Sequence, residues 1–132
     1  ETWDTLDILA EEGIEYVCDW VNDDQPYPMK VKSGSLVAIP YTVELNDIPI
    51  YLAQNHPSPE IFQRAKDHFD TLYEEAADGA RIMCVSTHPY ITGAAHRIRY
   101  YNQVFEYIKR HERVVFMTGS EILDWYKQET GI

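Results

Sequence analysis

His88 is the residue of this sequence best suited to proton transfer. It ends the apolar run Arg81-Ile82-Met83-Cys84-Val85-Ser86-Thr87, and Pro89-Tyr90-Ile91-Thr92-Gly93 follows it. Imidazole changes charge near neutral pH, so a histidine here can act as general acid to a leaving amine or alkoxide. Read as an inner strand, the run puts His88 at a strand's carboxyl end, where α/β proteins assemble their chemistry. A histidine beside a proline is often only structural. The place of His88, after the most apolar strand and before a loop holding Tyr90, Thr92 and Gly93, favours the catalytic reading.

Two other clusters carry chemistry-bearing groups. Asp19-Trp20-Val21-Asn22-Asp23-Asp24-Gln25-Pro26-Tyr27 follows a short strand, and carboxylates this crowded suit proton transfer or cation binding. The alternating aspartates resemble a calcium loop, but the glycine and closing glutamate of an EF-hand are missing. A polar turn is the plainer reading. His96-Arg97-Ile98-Arg99 lies at a helix start, where positive charge opposes the macrodipole. These residues suit an anion or acidic loops, with a salt-bridged surface as the plainer alternative. His56, His68 and His111 show neither HExxH nor His-x-His spacing, and the last two read as solvated. No phosphate loop, dinucleotide fingerprint or Gly-x-Ser-x-Gly nucleophile is present.

The elements that must position these groups follow a strand–loop–helix rhythm typical of α/β proteins. Trp3 to Glu12 has helical apolar spacing, with Trp3, Leu6, Leu9 and Ala10 inward and Gly13 as the stop. Ile14–Cys18 and Leu36–Ile39 read as short strands, Asp19–Met29 as a loop, and Ser33-Gly34-Ser35 as a turn. Pro40 to Pro57 has no clear period and reads as a long excursion over a barrel mouth or sheet edge, a length that usually signals function. Ser58-Pro59 suits a helix start with Ser58 as cap, and Ile61, Ala65, Phe69, Leu72 and Ala76 line its inner face until Gly79. A further helix from about Ala94 turns Ile98, Tyr101, Phe105 and Ile108 inward. Arg113–Met117 reads as a last strand, and Thr118-Gly119-Ser120-Glu121 as a capping box for the final helix.

The 132 residues, 45% of them apolar, support one globular domain at most. The formal net charge is −11, and nine acids precede the first basic residue, Lys30. That field repels phosphate backbones and argues against nucleic acid as a partner. There is no membrane-spanning apolar run and no signal-peptide pattern. Cys18 and Cys84 lack CxxC spacing, so they read as buried thiols of a reducing cytoplasm rather than a disulfide or zinc signature. The chain opens on Glu1 rather than Met, and is expected to be a processed or truncated piece of something longer.

Five segments in order carry a resemblance to a known family. They are Thr5–Tyr16, Asn22-Asp23-Asp24-Gln25-Pro26-Tyr27, Val37-Ala38-Ile39-Pro40-Tyr41, Asn46-Asp47-Ile48-Pro49 and Thr87-His88-Pro89-Tyr90-Ile91-Thr92-Gly93. Together they resemble the C-terminal half of the polysaccharide deacetylase family, in the branch of peptidoglycan deacetylase-like proteins and cofactor-free allantoinases. The resemblance implies an α/β fold, the C-terminal half of a deformed (β/α) barrel with fewer than eight strands, with residues 1–132 as a single partial domain. It implies hydrolysis of a C–N amide bond in an oligosaccharide or small-molecule substrate, such as an N-acetylated sugar or a ureide.

By the same resemblance His88 would protonate the leaving nitrogen. Trp20, Asn22, Asp23, Asp24, Asn46, Asp47, Pro89 and Tyr90 would contact substrate. The family's divalent metal, such as zinc, is held by one Asp and two His of the N-terminal half, which also carries the Asp base. Neither that Asp-Asp pair nor the His-x-x-x-His motif is in this chain, so no metal ligand is expected here. The missing N-terminal half is the expected partner, a homo-oligomer the expected assembly, and the isolated chain is expected to be inactive. The alternative is a non-catalytic carbohydrate- or protein-binding module of the same fold, with Trp20, Tyr27, Tyr41 and Tyr90 stacking on sugar rings.

Overall fold

A computed structural model describes residues 1–132. They form two compact units, one of residues 1–41 and 116–132, the other of residues 42–115.

In the first unit, helix α1 (Thr5–Glu11) is followed by Gly13 at φ +83°, a conformation open to glycine, and the Gly13 N–H donates to the Ala10 carbonyl. Three two-residue strands follow: β1 (Tyr16–Val17), β2 (Tyr27–Pro28) and β3 (Val37–Ala38). The central strand is β3, parallel to β1 and antiparallel to β2. The expected loop Asp19–Met29 therefore contains a strand. Pro28 fits there because β2 is an edge strand.

Ala10, Val17 and Leu36 form one small core, with Leu6 and Leu9 packed against it. Val37, Ile39 and Leu123 form another. Trp3, expected inward, is fully exposed at 101%. Helix α5 (Gly119–Thr130) begins with the expected capping box: Thr118 Oγ1 accepts from the Glu121 N–H, and Glu121 accepts from the Thr118 N–H.

In the second unit, α2 (Glu60–Glu75) packs on α4 (Ile98–Ile108) through Ala65, Phe69, Val104 and Ile108, joined by Leu45. A second cluster joins Ile50, Tyr51, Ile61 and Ile91. Full burial of side chains of this size stabilises by about 1.5–3 kcal/mol each. The predicted face of α2 is present except for Ala76, which caps the helix and is exposed. Ser58 does not cap α2; its carbonyl accepts from the Tyr51 hydroxyl at 2.8 Å. The inner face of α4 is turned so that Val104, rather than Phe105, is buried. His111, expected in solvent, is half-buried in an edge-to-face ring cluster with Phe69 and Tyr73.

Three expectations about the middle of the chain are corrected. The excursion from Pro40 to Pro57 contains a π-helix, Ile48–Ala53, whose wider turn breaks the 3.6-residue period by which helices are recognised. The Arg81–Thr87 run is half-buried rather than buried, and it forms no ladder beyond a parallel bridge between Asn46 and Ser86. Apolar composition marks a segment as able to pair, but a ladder also needs neighbours on its edges. Arg113–Met117 likewise forms no ladder, and Val115, Phe116 and Met117 are exposed at 74%, 54% and 40%. Neither Cys18 nor Cys84 is in a disulfide, and both are half-buried rather than buried. No helix is long and apolar enough to cross a membrane.

Candidate active site

The bridge at Ser86 is what brings the site together. The Ser86 N–H donates to the Leu45 carbonyl at 2.9 Å, and the Asp47 N–H donates to the Ser86 carbonyl at 3.1 Å. Two residues beyond Ser86, the chain leaves its extended path. His88 keeps extended dihedrals, Pro89 takes the first helical position, and Pro89–Thr92 forms the single turn α3. Pro89-Tyr90-Ile91-Thr92 is therefore helical, not the loop expected. The Ile91 and Thr92 N–H groups both donate to the His88 carbonyl.

Asp47 lies across from this turn and is wholly buried, at 0% exposure. Its Oδ2 accepts from the His88 main-chain N–H and from Thr92 Oγ1, each at 2.7 Å. Its Oδ1 pairs with His88 Nδ1, also at 2.7 Å. An ionised carboxylate buried without partners costs several kcal/mol. Here three donors compensate. Burial is the largest influence and pushes the Asp47 carboxyl upward, but the bonds from the His88 main chain, the His88 ring and Thr92 together hold it below its ordinary value.

An ionised carboxylate only accepts, so Nδ1 of His88 carries the hydrogen of this contact. The ring's proton exchange with a ligand is thereby confined to Nε2. The His88 side chain is 36% exposed, enough for a reacting group to reach it. A buried acid fixing one ring nitrogen while the other faces a reactant is the arrangement general acid–base catalysis requires.

The remaining expected site residues are placed as follows. Tyr90, 73% exposed, stands edge-on to the His88 ring at 5.7 Å, and Pro89 is exposed beside it. Asn46 Oδ1 accepts from the Ile48 N–H and helps open the π-helix. Asp47 is committed to His88 and Thr92 and presents no surface to a substrate. In the first unit, Trp20 is exposed. Asn22 accepts from the Tyr27 hydroxyl at 2.6 Å, Asp23 accepts from the Gln25 N–H at 3.0 Å, and Asp24 is half-buried. Asn22 and Asp23 thus shape the turn.

Thr92 was not foreseen as a site residue. Its spacing of four from His88, with proline between, was the available signal, because residues so spaced share one side of a helical turn. Arg97 neither binds an acidic loop nor forms an ion pair. Its guanidinium lies over the Tyr51 ring at 4.6 Å and donates to the Ile91 carbonyl at 3.3 Å. No group of three or more His, Cys, Asp or Glu side chains is arranged to hold a metal ion. The residues present do not fit the metal that the resemblance implies.

No family model matches the chain. A fission yeast (Schizosaccharomyces pombe, strain 972) protein named "Putative polysaccharide deacetylase" is 35% identical over 115 residues, covering 79% of this chain and 36% of that protein. The crystal structure of a "probable Polysaccharide deacetylase" from Pseudomonas aeruginosa PAO1 superposes with a TM-score of 0.91 at 28% identity, covering 98% of this chain and 45% of the other. The chain is a relative of the polysaccharide deacetylases. The structure of Puue allantoinase is also similar, with a TM-score of 0.87 at 27% identity over 97% of this chain and 44% of that one. A Mycobacterium smegmatis structure at 20% identity and TM-score 0.84 shares the fold. The chain thus has the fold of part of these deacetylase-like proteins, spanning about a third of the yeast relative and under half of each solved one.

Proposed function

We propose that this chain supplies the proton-donating wall of a deacetylase-like hydrolase that cleaves C–N amide bonds. The observation that carries the reading is the two-point hold of Asp47 on His88. In its doubly protonated form His88 gives the Nε2 proton to the nitrogen as the C–N bond breaks, so that an amine leaves rather than an amide anion and the neutral ring keeps its hydrogen on Nδ1. Asp47 keeps the proton on Nδ1 and the ring in place, and Thr92 keeps Asp47 in place. Tyr90 and Pro89 flank the exposed edge of the imidazole and are the substrate contacts best supported by position. Exposed Trp20 has a ring of the kind that stacks on sugars.

The partner this reading calls for is the rest of such a barrel, which would bring the base and any divalent metal. The exposed apolar run Val115-Phe116-Met117 supports it, because contiguous exposed apolar surface commonly marks a site that another surface covers. No step assigned to these residues passes through a metal.

The test is His88→Ala in a protein that carries the whole barrel, assayed on chitooligosaccharides and on allantoin. The expected result is a fall in kcat of about a hundredfold on whichever substrate is turned over, in a variant that still folds but melts somewhat lower because buried Asp47 has lost its ring donor. Undiminished turnover by the folded variant would overturn the assignment. It would leave the sugar-binding alternative to be tested by affinity.

A further inference from the structure

We infer that Arg97 is a positioning residue that sets the distance between Asp47 and His88 by tying together the two segments that carry them. The inference rests on His88 acting as the proton donor.

Asp47 and His88 arrive from separate parts of the chain. Asp47 is the residue that opens the π-helix Ile48–Ala53, and His88 opens α3. The Arg97 guanidinium touches both. Its carbon lies 4.6 Å from the centre of the Tyr51 ring in the π-helix, and its Nη1 donates to the Ile91 carbonyl within α3 at 3.3 Å. Neither anchor has room to swing. Tyr51 is 5% exposed with its hydroxyl held by the Ser58 carbonyl, and Ile91 is 2% exposed in the same cluster.

Stability alone accounts poorly for an arginine at this place. Arg97 has no carboxylate partner, its Nε is buried without an acceptor in the protein, and it stands at the N-cap position of α4 without a capping bond, where positive charge opposes the macrodipole. A flat guanidinium is nevertheless the side chain that can stack on a ring and donate in its own plane at the same time. Sub-ångström placement of a proton donor governs rate, so a clamp of this kind acts on kcat.

The test uses Arg97→Met and Arg97→Lys in the protein with its complete barrel. The readouts are kcat, KM and the nitrogen-15 chemical shifts of the His88 ring. Arg97→Met is expected to lower kcat about tenfold or more while KM stays within about twofold, and to replace the single Nδ1–H form of His88 by a mixture. Arg97→Lys keeps the charge but not the flat fork, and should restore only part of the rate. If Arg97→Met fails to fold, Arg97→Lys carries the same readouts and the same outcomes decide. An unchanged kcat, or a lost kcat with unaltered His88 shifts, overturns the inference. His88→Ala in the same assay separates the two claims. An active His88→Ala refutes the proton-donor reading itself, whereas an inactive one beside a fully active Arg97→Met refutes only the role of Arg97.

Discussion

Asp47 holds His88 at two points, accepting from its main-chain N–H and from its ring Nδ1, each at 2.7 Å. One contact fixes where the residue sits, and the other fixes which ring nitrogen carries the hydrogen. Position and tautomer thus depend on a single buried carboxylate, and most of the testable consequences follow from it.

Asp47→Asn keeps the shape but replaces one accepting oxygen by a donating amide. Either the amide N–H faces the His88 main-chain N–H, which loses its acceptor, or it faces Nδ1 and drives the ring hydrogen onto Nε2. We expect kcat/KM to fall about a hundredfold or more. Steady-state kinetics beside nitrogen-15 shifts of His88 check this, and a loss under about threefold would contradict it.

Thr92→Val removes one of the three donors to Asp47 with little change of volume at a buried position. Leaving a buried charged acceptor short of one hydrogen bond costs about 1–3 kcal/mol. Urea unfolding at neutral pH measures it, and a variant as stable as the parent would show that Thr92 only fills space.

The depressed pKa of Asp47 makes a signed prediction for acid. Its folded value lies below the ordinary 3.8, so its stabilisation is fully present above that value and is lost as pH falls through the lower folded one. Glu44, Asp70 and Glu121 are lowered too and add to the same slope. The share of Asp47 is therefore read as a difference. Unfolding free energy measured against pH below about 4 should decline less steeply in Asp47→Asn than in the parent, and parallel curves would exclude the assignment.

Gly93→Ala tests the turn beneath His88. A β-carbon at Gly93 would stand 2.2 Å from the Pro89 carbonyl oxygen, a main-chain atom that cannot swing aside. The turn from His88 must open to admit it. We expect destabilisation of about 1–3 kcal/mol together with lost activity, read by denaturation and kinetics. Parent-like values for both would mean that α3 is looser than its hydrogen bonds indicate.

Local signals in the sequence carried a good part of this structure. The inner face of α2, the Gly13 stop and the Thr118–Glu121 capping box depend on neighbours within a few residues, and all three are present. His88 was legible as a candidate because a proline turn follows an apolar run. Some misses were local, such as Ser58 as a cap and the π-helix, but those that shape the site depended on distant partners. Whether Arg81–Thr87 forms a ladder is decided by the segments beside it, not by its own composition. The capture of His88 by Asp47, 41 positions away, passes through the single bridge at Ser86. Pairing of Asn46 with Asp47 in one motif suggested a shared substrate role, yet burial separates them: Asn46 shapes the π-helix start while Asp47 turns to His88.

The π-helix that begins after Asp47 has a consequence for how this segment tolerates change. Such a turn holds one residue more than an α-helical turn spanning the same rise. Its defining property is therefore a count of residues, and exposed members such as Leu52 are free to vary in kind but not in number. Removing Leu52 alone would let the segment relax to ordinary α-helix and swing Tyr51 around the axis, away from the Arg97 guanidinium. Substituting Leu52 by another helix-forming residue should do neither, so comparing the deletion with the substitution for activity separates length from identity.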